Sequence, residues 1–221
     1  PMRVPVRRAL REMLSGNVAL GETLEAVAGG RSAELWELGA LISAPGAVSQ
    51  IVHADVVWKP APILHTAFVA LQPISRELGP TRFIPGTHED DSLHAAHVQQ
   101  GDATALKIVS LEGRERPLPS QVALLETGDV AVYDARLFHC GSANSFNSNG
   151  CGKDDATDSE DGLRILFYVT TRHAALGEPE VEDPARSLLR QYDGGYRLGK
   201  LRDGDFMLDD VRRTMRTLAY K

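Results

Sequence analysis

The stretch Gln50-Ile51-Val52-His53-Ala54-Asp55 is a short apolar run that ends in a histidine and a carboxylate two residues apart. On a β-strand, residues i and i+2 point to the same face, so this spacing presents an imidazole nitrogen and a carboxylate oxygen side by side. Those are two of the three protein ligands of a 2-His-1-carboxylate site, which leaves open positions on an Fe(II) ion. An H-x-D pair by itself is common, and a hydrogen-bonded surface pair is its ordinary explanation. It gains weight when a second histidine stands in a matching setting. Gly128-Asp129 opens a turn, Val130 to Phe138 follows as a strand, and His139 stands at its far end, eighty-six positions after His53. After a polar loop, Leu163-Arg164-Ile165-Leu166-Phe167-Tyr168-Val169 is another strand with one arginine near its start. The expectation is a metal site at His53, Asp55 and His139 beside an anion site at Arg164.

Outward from this stretch, the turn Ala44-Pro45-Gly46-Ala47 suggests a hairpin between Leu41–Ser43 and Ser49–Ala54. Residues 34–42 fit either strand or helix. Ile63 to Gln72 reads as a central strand, Thr81–Ile84 as a short one, and Val122–Leu125, Val130–Phe138 and Leu163–Thr170 complete the set. Apolar spacing predicts helices at residues 3–14 and about 208–219, with a shorter turn at 22–28. Asp90 to Gln100 is polar, and His94 and His97 are expected on its solvated face. The set predicts a mainly β chain, a jelly-roll barrel flanked by N- and C-terminal helices. One domain is expected over 1–221, with its barrel core at about 35–172. Residues 145–162, with five acidic side chains, read as an exposed flexible loop without the ligand order of a calcium loop.

Composition narrows the function. The chain has 221 residues, 43% hydrophobic and 24% charged, which suits a soluble globular protein. A net charge of −6 provides no footprint for nucleic acid or an anionic membrane. No apolar run approaches 18 residues, so no span is expected. Two cysteines, Cys140 and Cys151, read as reduced thiols and favour an intracellular, cytoplasmic setting. Residue 1 is Pro, so an upstream targeting segment is compatible with the sequence.

The residues resemble a family. His53-Ala54-Asp55, Ala67 to Gln72, Leu78-Gly79-Pro80-Thr81-Arg82-Phe83-Ile84-Pro85-Gly86-Thr87-His88, Gly128-Asp129 and His139-Cys140-Gly141-Ser142-Ala143-Asn144 run in a fixed order. That order is similar to the phytanoyl-CoA dioxygenase family of Fe(II)- and 2-oxoglutarate-dependent oxygenases, over roughly residues 35 to 172. The resemblance implies a double-stranded β-helix, with His53, Asp55 and His139 as iron ligands. It implies that Arg164 grips the far carboxylate of 2-oxoglutarate, a task suited to a planar guanidinium. It further implies that Phe68 lines the co-substrate pocket and that Gly141, Ser142 and Asn144 shape its wall. Arg164 lies 25 positions after His139, a longer interval than the family's, and the acidic loop accounts for the surplus. Arg172 also lies downstream, but Arg164 opens the apolar strand whereas Arg172 lies past its end.

The implied activity consumes O₂ and 2-oxoglutarate, releases succinate and CO₂, and hydroxylates a C–H bond of a small-molecule or acyl substrate. Relatives that halogenate carry a small residue at the carboxylate position, so Asp55 favours hydroxylation. His65 and Trp58 are candidates to touch substrate, with core packing as the plain alternative for each. His88 reads as a structural histidine in a turn, and Arg136 as a surface residue. Two other classes compete: a catalytically degenerate jelly-roll that binds metal or ligand, and a cupin-like metalloenzyme that does not use 2-oxoglutarate. The retained ligands argue against the first and Arg164 against the second.

Overall fold

A computed structural model of the protein describes residues 4–16, 18–100, 119–146, 162–176 and 196–203. In chain order the elements are α1 (Val4–Leu14), α2 (Ala19–Val27), β1 (Glu34–Ser43), β2 (Leu64–Ala70), β3 (Thr81–Phe83), a 3-10 turn (Thr87–Glu89), α3 (Asp91–Gln100), β4 (Gln121–Val122), β5 (Val130–Asp134), β6 (His139–Gly141), β7 (Arg164–Arg172) and α4 (Leu198–Arg202). They divide into two units, one of residues 1–38 with 169–221 and one of residues 39–168. Strands β1 and β7 each run through the boundary.

In the first unit, α1 meets α2 and α4. Leu10 and Leu14, one turn apart on α1, are fully buried, as are Leu24, Leu198 and Leu201. Arg202 pairs with Glu25 and donates to the Gly16 carbonyl at 2.8 Å, tying the end of α4 to the α1–α2 turn. No helix among the described residues is long and apolar enough to cross a membrane.

The second unit is mainly β. One sheet has the strand order β1-β7-β2-β5 and the other β4-β3-β6. β2 pairs antiparallel with β5, and β3 pairs antiparallel with both β4 and β6. All seven residues of β2 are buried, as expected of an interior strand covered on both faces. Phe68, Ala70, Ile74, Tyr133 and Leu166 form the core of the first sheet, and Phe83 of the second packs on it. The antiparallel β architecture with flanking helices agrees with the sequence expectation.

Several local expectations are overturned. The 44–47 turn forms, with Ala47 N–H bonded to Ala44 at 3.0 Å, but no hairpin follows it. Residues 50–53 pair with β6 instead. Gln50 N–H bonds to the Gly141 carbonyl, and His53 and His139 exchange backbone hydrogen bonds of 2.9 Å in both directions. Burial of Val52 with Ile84, Phe138 and Cys140 selects this partner over β1. The expected strand 130–138 breaks after Asp134, where Leu137 N–H turns back to the Asp134 carbonyl at 2.8 Å and the chain crosses to the other sheet. The strand expected at 122–125 is only Gln121–Val122, because Leu125 bridges to Ile74.

His94 does not lie on a solvated face. It is buried, 3.0 Å from the Thr87 carbonyl, with its ring 4.4 Å from that of Phe138. Arg136 is not a surface residue either. Its guanidinium is buried against the Asp134 carboxylate at 2.6 Å and donates to the carbonyls of Lys59 and Pro60. Cys140 is buried as a free thiol, with its pKa raised by desolvation. The helix expected at 208–219, Cys151 and residues 147–161 of the acidic loop lie outside the described residues.

Candidate metal centre

Backbone pairing brings the two histidines together. His53 and His139 form an antiparallel, hydrogen-bonded bridge, so their side chains leave the same face of adjacent chains. Their ring centroids are 4.6 Å apart. Asp55, two residues after His53, is held by a bond from its N–H to the Ala135 carbonyl at 2.9 Å. Its Oδ1 lies 3.7 Å from His53 Nε2 and 3.6 Å from His139 Nε2. One ligand atom from each of the three residues falls within a 4.8 Å span.

The remaining nitrogens decide what those atoms can do. His53 Nδ1 lies 2.8 Å from the Ile51 carbonyl, and His139 Nδ1 lies 2.9 Å from the Leu137 carbonyl. A carbonyl only accepts, so each Nδ1 carries the proton and each Nε2 keeps its lone pair for a metal. Burial pushes the His139 pKa down, against the upward pull of the Asp55 charge, which favours the neutral, ligating form. The Tyr133 hydroxyl donates to Asp55 Oδ2 at 3.0 Å and so turns Oδ1 toward the imidazoles. His53 and Asp55 keep 38% and 36% side-chain exposure while His139 keeps 5%, so the cluster opens on the His53–Asp55 side. Two nitrogens and one carboxylate oxygen fit a divalent iron that keeps open positions.

On β6, His139 and Gly141 share a face. A Cβ at Gly141 would meet Gln50 Oε1 at 2.9 Å and Arg164 Nη2 at 3.4 Å. The missing side chain is therefore the space into which Arg164 reaches, one same-face step of roughly 7 Å along the strand from the His139 Cα. Gln50 Oε1 accepts from Gly141 N–H at 2.8 Å and fixes that approach. Arg164 is buried and bonds to the Gly79 carbonyl. Gly79 holds φ +73°, and a Cβ there would collide with the carbonyl oxygens of Ser142 and Ala143. Among the described residues no carboxylate lies within ion-pair distance of Arg164, and its buried Nε has no hydrogen-bond partner. Desolvation lowers its pKa.

The other expected residues are less direct. Phe68 packs in the core with its ring 5.2 Å from that of Tyr133, which joins it to the cluster through one side chain. Asn144 is buried, and its amide donates to the Ser43 and Gly162 carbonyls while its oxygen accepts from Phe146 N–H. It clamps the base of the acidic loop. His65 lies opposite Asp134 in the β2–β5 register, on the other face of β2 from Phe68. Trp58 donates its indole N–H to the His88 carbonyl at 3.0 Å. Sequence reasoning missed Tyr133, Gln50 and Thr87. Thr87 Oγ1 donates to the Ile84 carbonyl and accepts from Phe138 N–H, bracing the strand that carries His139. The signal for Tyr133 is one hydroxyl in the apolar run Val130-Ala131-Val132-Tyr133.

Residues 11–148, more than half of the chain, match the family described as phytanoyl-CoA dioxygenase (PhyH). Nothing among curated proteins matches the sequence. Among solved structures, the chain is similar to the epimerase SnoN in complex with Fe3+, alpha ketoglutarate and nogalamycin RO, at 20% identity and TM-score 0.52, covering 82% of this chain and 68% of SnoN. It is similar to the non-heme alpha ketoglutarate dependent carbocyclase SnoK from nogalamycin biosynthesis, at 17% identity and TM-score 0.50, covering 77% and 59%. AviO1 from Streptomyces viridochromogenes Tue57 follows at 17% identity and TM-score 0.46, covering 78% and 61%. The chain thus spans about three fifths of the length of SnoK and AviO1. At these identities the likeness is one of fold.

Proposed function

The chain belongs to the phytanoyl-CoA dioxygenase family, and we propose that it is an Fe(II)- and 2-oxoglutarate-dependent oxygenase that hydroxylates a small molecule. The two sheets of the second unit are, in this reading, the two faces of a double-stranded β-helix. The observation that carries the reading is the convergence of His53 Nε2, Asp55 Oδ1 and His139 Nε2 beside a buried Arg164 that has no carboxylate partner among the described residues.

His53, Asp55 and His139 hold the iron. Backbone carbonyls keep both imidazoles in the ligating tautomer, and Tyr133 fixes the rotation of the Asp55 carboxylate. Arg164, which reaches the space left by Gly141, would receive the distal carboxylate of 2-oxoglutarate, and Phe68, packed on Tyr133, would line the co-substrate pocket. When bound, iron and 2-oxoglutarate reduce O₂, release succinate and CO₂, and supply the oxidant for a C–H bond. Asp55 fills the position a halide would need, which disfavours halogenation and supports hydroxylation. The anion site at Arg164 disfavours a cupin-like enzyme that uses no 2-oxoglutarate. SnoN and SnoK, named as alpha ketoglutarate dependent enzymes from nogalamycin biosynthesis, support a small-molecule substrate.

The test is anaerobic addition of Fe(II) and then 2-oxoglutarate, read by the visible charge-transfer band of the chelate. The wild type is expected to develop the band, His139→Ala to lack it, and Arg164→Ala to need at least tenfold more 2-oxoglutarate. Iron binding without a band would overturn the 2-oxoglutarate reading, and absence of iron binding would make the protein a degenerate barrel.

A further inference from the structure

We propose that the groove between the chain following Asp55 and helix α3 is the substrate site, and that it takes a neutral, planar, largely apolar molecule and excludes phosphate-bearing thioesters. This rests on the oxygenase reading above. The groove is a cavity of about 680 Å³, walled by Val56, Val57 and Trp58 on one side and by His94 and His97 of α3 on the other, with Phe138 beneath them. That volume suits a small-molecule ligand. Asp55 is part of its wall, so a molecule seated there lies beside the metal cluster at its carboxylate ligand. A second cavity of about 480 Å³, between β4 and β5, reaches Tyr133 but none of the three ligand side chains.

The lining selects the ligand. Val57 is 80% exposed immediately after the metal loop, an apolar side chain standing in water where a substrate would cover it. Trp58 is held in place by its bond to the His88 carbonyl, which gives a rigid indole wall. The Phe138 ring lies 4.4 Å from His94 and 5.0 Å from His97, and Trp58 lies 6.4 Å from His94. Trp58 and His97, both partly exposed, offer the aromatic surface open to a ligand, with the buried Phe138 and His94 behind it, and an aromatic face favours a flat ligand. No Lys or Arg is among the lining residues, whereas Asp55 and Asp91 are. Burial lowers the pKa of His94, which favours its neutral form. An acyl-CoA carries several phosphates that need guanidinium or ammonium partners, and the two carboxylates in the lining, Asp55 and Asp91, disfavour them.

The test compares two probes on the Fe(II)–2-oxoglutarate complex without oxygen: 1,4-dihydroxyanthraquinone and hexanoyl-CoA, each followed by equilibrium dialysis and by displacement of the chelate band. The quinone is expected to bind in the micromolar range and shift the band, and hexanoyl-CoA to bind at least a hundredfold more weakly. Trp58→Ala and Val57→Asp are each expected to weaken quinone binding at least tenfold. Val57 is exposed, so its variant folds even where loss of the indole does not, and the band is read in every variant as the control for the metal site. Tighter binding of hexanoyl-CoA, or quinone binding indifferent to both substitutions, would overturn the groove proposal while a persisting band left the oxygenase reading standing. Failure of the wild type to form the band would bring down both.

Discussion

At Asp55 the two carboxylate oxygens have different partners, and the difference comes from one hydroxyl. Tyr133 donates to Oδ2, which leaves Oδ1 as the oxygen facing both imidazole nitrogens. Outer partners of this kind typically change metal affinity by about 10–100-fold when removed. Tyr133→Phe keeps the ring that packs on Phe68 and Phe83, so stability should change little while Fe(II) affinity falls by about that factor in an anaerobic competition titration. Unchanged affinity would reduce Tyr133 to a packing residue. His53 and Asp55 were legible as a pair from their two-residue spacing, and His139 from its place at the end of a later apolar run. Tyr133 was not, because a phenol in an apolar strand reads as core and its contact with Asp55 crosses 78 positions.

At the scale of elements, β6 is only three residues long, yet it aligns His139 with His53 and, through Gly141, with Arg164. Its position depends on the turn that delivers it. Asp134 and Arg136 are buried together just before it, and Arg136 also grips the carbonyls of Lys59 and Pro60 after the metal loop. Burial opposes ionisation of Asp134, but the hydrogen bonds and charge of Arg136 outweigh it and hold that carboxyl below its usual range. Removing one partner of a buried pair strands the other charge. Arg136→Ala should therefore cost about 3–5 kcal/mol in urea unfolding. A loss below about 1 kcal/mol would mean that water replaces the guanidinium. The positions of most strands could be read from alternation and turn residues. The pairing of 50–53 with β6 could not, since any extended chain offers the same backbone donors and acceptors, and burial of Val52 chooses among them.

Across the whole molecule, two buried imidazoles set the acid side of the stability profile. Desolvation lowers the folded pKa of His94 and of His139 below the unfolded value of about 6.5. The unfolded chain then binds more protons as pH drops, so this stability is complete above about pH 6.5 and is lost as pH falls toward the folded values. Metal-free protein should unfold at lower urea at pH 5.5 than at pH 7.5, and His94→Gln should flatten that difference. A profile unchanged by the substitution would mean that His94 is protonated in the fold. The sequence by itself determined the β character, the H-x-D and distal-histidine pattern and the arginine that opens β7, because side-chain periodicity and residue chemistry are local properties; that β7 extends through Arg172 was not legible. Tertiary structure decided which strand the metal loop pairs with, that Arg136 and His94 are interior, that Tyr133 orients Asp55, and that an aromatic groove opens beside it. Those outcomes depend on contacts between residues far apart in the chain, where burial and hydrogen-bond satisfaction, not spacing, select the partner.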